Sequence, residues 1–335
     1  FDNGKMWWGK NGSWFNNSGT ANPATGTDPR ITFTTGNEWF PYSQEGDSST
    51  VQQAYNFGQQ GFAYTPPSGF LALSSENLPP NVPSIVRPQR HFTSVLYVGA
   101  GSGTQRITSL EFQPDFVWIK GRTNGWHVLT DSVRGAGKII ASNEADAEDT
   151  SSGASTAFQS FDISGFTVGY NAGWYTNGSG SGASQNQIAW CWKAGGAAVS
   201  NTNGNITSSV SVNDEAGFSI VSYTGNGSNG QTVGHGLSQA PQWIMLKARD
   251  ATQNWRVWHH KLASDGSKRL LLDGNNVSED ASFLNDTAPT STVFTLGNAD
   301  DAWNANSAKF IAYCWHEVPG YSKFGSYEAN GDSNG

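Results

Sequence analysis

The chain repeats itself. Phe92–Arg122 reads FTSVLYVGAGSGTQRITSLEFQPDFVWIKGR, and Gly217–Arg249 reads GFSIVSYTGNGSNGQTVGHGLSQAPQWIMLKAR. Aligned with almost no gap, Tyr97 falls on Tyr223, Pro114 on Pro241, Ile119 on Leu246, Lys120 on Lys247 and Arg122 on Arg249. Further on, WRVWHHKL copies GWHVLTDS, which sets Trp255 on Trp126. KRLLLDGNN copies KIIASNEAD, and VFTLGNADDAWN copies GFTVGYNAGWYT. Phe324–Gly335, FGSYEANGDSNG, reads as the opening of a third copy. A period of roughly 125 residues is too long for a solenoid unit and is the size of a domain.

The residues between the apolar runs say what kind of domain. Asn, Gly, Ser and Thr separate short apolar segments, with turn signals every 8–12 residues and no sustained helical period. Charged residues make up only 14% of the 335, whereas aromatics reach 13% with 14 tryptophans. Such a chain buries large aromatic cores and is all-β, with about seven short strands per repeat. A net charge of −8 without a basic stripe argues against a nucleic-acid partner. No apolar run approaches the ~20 residues of a membrane helix, so membrane insertion is not expected. Cys191 (AWCWK) and Cys314 (AYCWH) hold the same place in successive copies, so they read as buried apolar thiols and not as a disulfide.

Residues 1–78 differ from the repeats. The order WWGKNGSWFN, NPATG, WFPY, YNFGQQGFAYTPPSGF resembles the C-terminal half of a SPRY domain, in the form found in bacteriophage proteins. The resemblance covers about 80 residues and implies a partial concanavalin A-like β-sandwich whose end loops bind partners. The N-terminal strands of such a domain are missing, and Phe1-Asp2-Asn3-Gly4 reads as the inside of a domain, so a piece of a longer polypeptide is expected. LPPNVPSIVRPQR then holds four prolines, which stiffen a connector, and marks residues 79–90 as a linker. Repeat 1 occupies 91–200, repeat 2 occupies 201–320, and 321–335 begins the third copy. The repeats, with VGHGLSQAPQWIMLK and YCWHEVPGYSKFGSYEANG, resemble a domain that follows SPRY-like segments in large tail or virion proteins of phages. That resemblance implies tandem jelly-roll or concanavalin A-like sandwiches and carries no catalytic role.

Chemistry-bearing residues are few. Glu144-Ala145-Asp146-Ala147-Glu148 has the spacing that puts Glu144, Asp146 and Glu148 on one face of a strand. Retaining glycosidases of concanavalin-like fold use a carboxylate pair about 5–5.5 Å apart, so Glu144 and Glu148 are candidates for that pair. With Asp149 the same residues could form a weak calcium site. The flanking alanines and the polar Asp149–Gly153 run favour the third reading, a solvated acidic loop. No Cys/His spacing fits zinc, and no cofactor is implied. Aromatics beside turns are candidates for stacking on sugar rings: Trp7, Trp8, Trp14, Trp39 and Tyr42 in the first segment, and Trp174, Tyr175 and Trp303 in the repeats.

These features point to a non-enzymatic bacteriophage virion protein. It would be a tail fibre, tail-associated adhesin or head-decorating fibre on the particle surface. It would display β-domains to host-surface glycan or protein and act by avidity. Its expected partners are other virion proteins, host glycan and further copies of itself. A ligand-free cement or spacer and a glycan hydrolase using Glu144 and Glu148 are the competing readings.

Overall fold

The computed structural model describes residues 4–15, 20–33, 56, 62–70, 85–179, 181–275, 279–280 and 282–327. The chain divides into two compact units, 1–82 and 83–335. In the first unit, strand β1 (Lys5–Met6) pairs with β4 (Ile31–Thr32). Between them β2 (Trp8–Lys10) and β3 (Ser13–Phe15) form a hairpin. Its Asn11-Gly12 turn has φ of 51° and 77°, the paired positive values that the Asn-Gly dipeptide tolerates best. Trp39 and Tyr42 lie outside the described residues.

The second unit holds both repeats. Repeat 1 runs through β5 (Phe92–Gly99), β6 (Thr104–Ile107), β7 (Phe116–Gly121), β8 (His127–Asp131), β9 (Ile140–Ala141), α1 (Ser152–Ala157), β10 (Phe158–Asp162), β11 (Gly165–Gly169) and β12 (Gln185–Trp192). Repeat 2 runs through β13 (Val199–Asn201), β14 (Ser208–Asn213), β15 (Phe218–Thr224), β16 (Gln231–Gly234), β17 (Trp243–Ala248), β18 (Arg256–His259), β19 (Lys268–Leu271), β20 (Glu279–Asp280), β21 (Val293–Leu296) and β22 (Lys309–Trp315). The large sheet of repeat 1 has the order β5-β12-β7-β8-β9, and that of repeat 2 contains β15-β22-β17-β18-β19 in the same order. Each faces a small sheet, β10-β11-β6 or β16-β21, so each repeat is a β-sandwich. The Ser/Thr/Asn-rich stretch 197–213 supplies β13 and β14, which extend the repeat 2 sheet beyond β15.

The repeated residues do repeated work. Tyr97 donates its hydroxyl to the Thr176 carbonyl at 2.6 Å, and Tyr223 donates to the Trp303 carbonyl at 2.7 Å. Asn177 and Asn304 accept the backbone N–H of Ala100 and Asn226 at the matching hairpin tips. A Cβ at Gly99 would sit 2.4 Å from the Gly178 nitrogen, and one at Gly225 2.4 Å from the Ala305 oxygen. Both positions therefore require glycine for close backbone approach. Cys191 and Cys314 are free and buried, one in each sandwich core.

Two expectations fail locally. Trp255 does not stand in the place of Trp126. Lys120 pairs with His127 in repeat 1, and Leu246 pairs with Arg256 in repeat 2, which puts Trp255 in register with His127. The cap agrees: Asn143 accepts the His127 N–H at 2.8 Å, and Asp273 accepts the Trp255 N–H at 3.1 Å. A slip of one residue changes the face. Trp126 packs on the repeat 1 core, whereas Trp255 is fully buried on the opposite side of its sheet. The polar run after the acidic residues also contains a short helix, α1. The Ser151 hydroxyl caps it by accepting from Gly153 and Ala154, and Ala154 and Ala157 are buried.

A third core lies between the sandwiches. Phe116, Leu129 and Ile140 of repeat 1 meet Phe218, Ile220, Met245, Trp255, Ile311, Tyr313 and Trp315 of repeat 2. Phe116 stacks on Tyr313 with ring centroids 4.3 Å apart, and Trp255 stacks on Tyr313 at 6.3 Å. Aromatic pairs of this kind contribute about 0.5–1.5 kcal/mol beyond area burial. Phe324 packs on Trp243 at 5.9 Å. Tyr327, three residues further on, stands 94% exposed. With this apolar core shared by both repeats, calorimetry should show them melting in one transition. Phe116→Ala should cost about 3–5 kcal/mol and lower that shared transition. Two separate melts, with only one moved, would show that the seam does not couple the repeats.

Candidate functional site

The acidic run lies on the seam, and it is no strand. Residues 144–148 are irregular loop. The loop is tied to repeat 2 by its backbone: Glu148 N–H to the Arg249 carbonyl at 2.9 Å, and Gln253 N–H to the Ala145 carbonyl at 2.8 Å. Glu148 is buried between two guanidiniums. Arg249 grips it with Nη2 to Oε1 at 2.8 Å and Nε to Oε2 at 3.0 Å, and Arg134 Nη1 reaches Oε2 at 3.0 Å. Arg134 has no exposed side-chain surface. It also binds the buried Asp131 carboxylate, the Leu129 carbonyl at 3.1 Å and the Tyr313 hydroxyl at 3.3 Å. Tyr313 in turn donates to Asp131 at 2.8 Å. Two repeats are thus locked by Asp131, Arg134, Glu148, Arg249 and Tyr313.

This lock fixes protonation. Burial pushes the Glu148 carboxyl up, but the hydrogen bonds and charges of Arg249 and Arg134 outweigh it and hold the group below the ordinary 4.5. A carboxylate so held is no general acid. Glu144 accepts instead from Asn143 at 3.2 Å, and Asp146 is exposed. Asp149 accepts from Ser151 N–H at 2.8 Å and from the Trp174 indole at 2.9 Å. Glu144, Asp146, Glu148 and Asp149 therefore do not converge, and no group of three metal-binding side chains occurs among the described residues. The solvated-loop reading needs correction at Glu148 for the same reason: two arginines take it out of water.

Lys247 adds a second tie. Its ammonium is buried and donates to the Ala145 and Ala248 carbonyls at 3.1 Å each. Burial lowers its pKa to about 8, with Asp273 and Asp146 opposing the shift.

Beside these ties the seam opens into a cleft of about 410 Å³. Repeat 1 contributes Trp118, His127, Ser142 and Asn143, and repeat 2 contributes Leu272, Asp273, Gly274 and Asn275. Asn143 and Asp273 are the equivalent capping residues of the two repeats, so the cleft forms where the paired hairpins meet. Trp118 is half-buried and packs edge-on against Trp190 at 5.9 Å. Burial, and next the charge of Lys120, lower the His127 pKa, which favours a neutral imidazole. The lining offers one carboxylate, Asp273, which already accepts from Trp255 and Asn254. An aromatic wall with amides, hydroxyl and imidazole can hold a polyhydroxyl ligand by stacking and hydrogen bonds. A single engaged carboxylate cannot supply the acid and nucleophile of glycoside hydrolysis.

The aromatic candidates from the sequence fall in different places. Trp8 and Trp14 are exposed, at 49% and 40%, on the first unit's hairpin. Trp7 is buried, donates to the Thr27 carbonyl at 2.9 Å and meets Phe70 edge-on. Trp303 is also buried, donates to the Asn298 carbonyl and lies under the guanidiniums of Arg269 and Arg256. Neither can present a face to a ligand. Trp174 is half-buried against Trp126, and Tyr175 is half-buried at φ 53°. The residues that sequence reasoning missed are Trp118, His127 and Asn143, since each sits in or beside an apolar strand that reads as core. Arg134 had a weak signal, an Asp-x-x-Arg pair closing an apolar strand in a chain poor in charge.

Two outcomes test the lock. Glu148→Gln should cost about 3 kcal/mol because it leaves buried guanidinium charge unpaired, while Glu144→Gln should change stability by less than about 0.5 kcal/mol. Because the folded Glu148 pKa is depressed, its contribution is complete above the ordinary 4.5 and is lost as pH falls below it. Urea titrations across that range should show the wild type losing this increment and Glu148→Gln lacking it. For Lys247 the sign runs the other way. A lysine whose folded value is about 8 and ordinary value 10.5 leaves the folded state proton-poor between them, so stability rises with pH there. Wild type should gain on Lys247→Met by up to about 1.4 kcal/mol per pH unit in that window. A flat difference would place the ammonium in water.

A family model described as a domain of unknown function (DUF7483) matches residues 87–335, a region that takes in both repeats. No curated protein and no solved structure matches the chain.

Proposed function

We propose that this chain, which belongs to the DUF7483 family, is a non-enzymatic structural and recognition protein that binds surface glycan in the cleft between its two β-sandwiches. The observation that carries the reading is the lining of that cleft: one aromatic wall, a rim of Asn143, Ser142, His127 and Asn275, and a lone engaged carboxylate. Sugar rings stack their C–H faces on aromatic planes and spread hydroxyls to amides, and both partners are present. The acidic run that suggested hydrolysis serves instead to join the repeats. A bacteriophage virion is the setting that the sequence resemblance supports: a tail fibre, tail-associated adhesin or head-decorating fibre. A rigid seam between tandem sandwiches suits a particle-borne fibre, and many weak sites on one particle would give avidity. The same seam would serve a ligand-free spacer equally well, so glycan binding is the property that separates the two.

The test is a glycan array and whole-cell binding with wild type, Trp118→Leu and Asn275→Ala, following glycan chain length in the same wells. Saturable binding without shortening is expected, reduced about tenfold or more by Trp118→Leu, as the loss of one stacking contact implies. Asn275 is exposed, so its substitution should weaken binding without changing the melting temperature. No binding by wild type would favour the spacer. Shortening of the glycan would make the protein an enzyme.

A further inference from the structure

The two large sheets share a strand order but not an edge. In repeat 2 the outer edge of β15 is occupied by β14, with Ser208–Asn213 paired to Phe218–Tyr223. In repeat 1 the equivalent strand β5 pairs with β12 on one side, and no described strand pairs with its other edge. Side chains on the two strands differ in the opposite sense to what water demands. By the Tyr97–Tyr223 alignment, Leu96 and Val98 correspond to Ser222 and Thr224. Leu96 is 68% exposed and Val98 56%, so the uncovered edge carries the apolar residues.

Those residues open an apolar strip. Leu96 pairs with Ile188, and two residues on in β12 Trp190 pairs with Trp118, so apolar side chains step from the β5 edge toward the buried seam, flanked by Ser94 and Lys120. β5 (FTSVLYVG) carries no charge, no proline and no irregularity in its eight-residue pairing with β12, and its edge is capped at the Val98 end, where Gln105 Nε2 donates to the Val98 carbonyl at 3.1 Å. The sister strand shows what fits such an edge, namely another strand. The chain's own preceding segment is a poor donor. β14 comes just before β15, but the segment just before β5 contains Pro79, Pro80, Pro83 and Pro88, which have no N–H for a ladder. The last three residues before His91 are a 3₁₀ turn, Pro88–Arg90.

We propose that β5 pairs antiparallel with β5 of a second copy, forming a two-fold dimer with one continuous sheet. Self-pairing of one edge is isologous and closed, so it leaves neither copy with an unpaired β5. The two-fold axis is normal to the sheet, which places Leu96 and Val98 of both copies on one face, against each other. Main-chain hydrogen bonds supply affinity, as in strand addition generally, and the uncharged strand has no like-charge repulsion across the axis. The pairing is independent of the cleft and of glycan.

Sedimentation velocity and hydrogen exchange on the full chain test it. Wild type should show a doubled molar mass that falls to the monomer value on dilution. The β5 amides should be protected in the dimer and exposed in the monomer. The Leu96→Lys, Val98→Lys double variant should be monomeric at every concentration with an unchanged far-ultraviolet spectrum and melting temperature, since both side chains already face water in the single chain. A wild type that stays monomeric overturns the proposal. So does a dimer that survives the double substitution, or one whose β5 amides exchange as freely as in the monomer.

Discussion

The structure depends on one contact, the packing of two large-sheet faces through Phe116, Tyr313, Trp255 and Trp315. Each sandwich buries one face of its large sheet against its own small sheet. The other face remains, and in both repeats it is too aromatic to stand in water. The two copies cover each other, but not symmetrically. Repeat 2 offers the centre of its face, with Ile220, Met245, Ile311 and Tyr313. Repeat 1 offers the β7-β8-β9 side, with Phe116, Leu129 and Ile140. The sequence differences follow the offset. His127 at the rim of repeat 1 is replaced by Trp255 at the centre of the seam, and Ser94 by Ile220.

Apolar faces of regular sheets can slide over one another, because dispersion and area burial have little direction. The polar groups at this seam do have direction. Arg134 is used at once by Asp131, Glu148, Tyr313 and the Leu129 carbonyl, and Glu148 is shared with Arg249. These bonds close only in one register. Buried ion pairs add little net stability over apolar residues of the same shape, because both charges lose water. Their value here is in selecting one alignment of two faces that would otherwise have several. Lys247 acts likewise, reaching across to the Ala145 carbonyl despite the burial that weakens its hold on a proton.

Much of this was legible in the sequence. The short apolar runs and the turn residues between them marked the strands, and the repeated Tyr and Cys marked positions that both sandwiches use alike. The charged residues recurring inside apolar strands, Lys120 with Lys247 and Arg122 with Arg249, were visible too, but their role was not. Arg122 is exposed, whereas Arg249 holds Glu148, and only the seam makes that difference. Trp126 and Trp255 show the same limit. Letter-by-letter alignment pairs two tryptophans, whereas hydrogen-bond register pairs Trp255 with a histidine, and a strand changes face at every residue. Trp303 looked like a loop aromatic because Asn and Asp surround it. Its ring is nevertheless roofed by two arginines from neighbouring strands, a long-range contact that no local pattern encodes.

The offset also explains why the ligand-sized cleft and the open edge occur on the same sheet. Displacing the contact toward β7-β8-β9 leaves a gap at one end of the seam, where Trp118 becomes a wall. Toward the β5 side it leaves Leu96 and Val98 exposed and Ile188 half-buried. Duplication alone would give two equal domains. The residues that break the equality of the two copies, Trp255 for His127 and Leu96 for Ser222, give the duplicated sandwich a cleft at the seam and an apolar β5 edge.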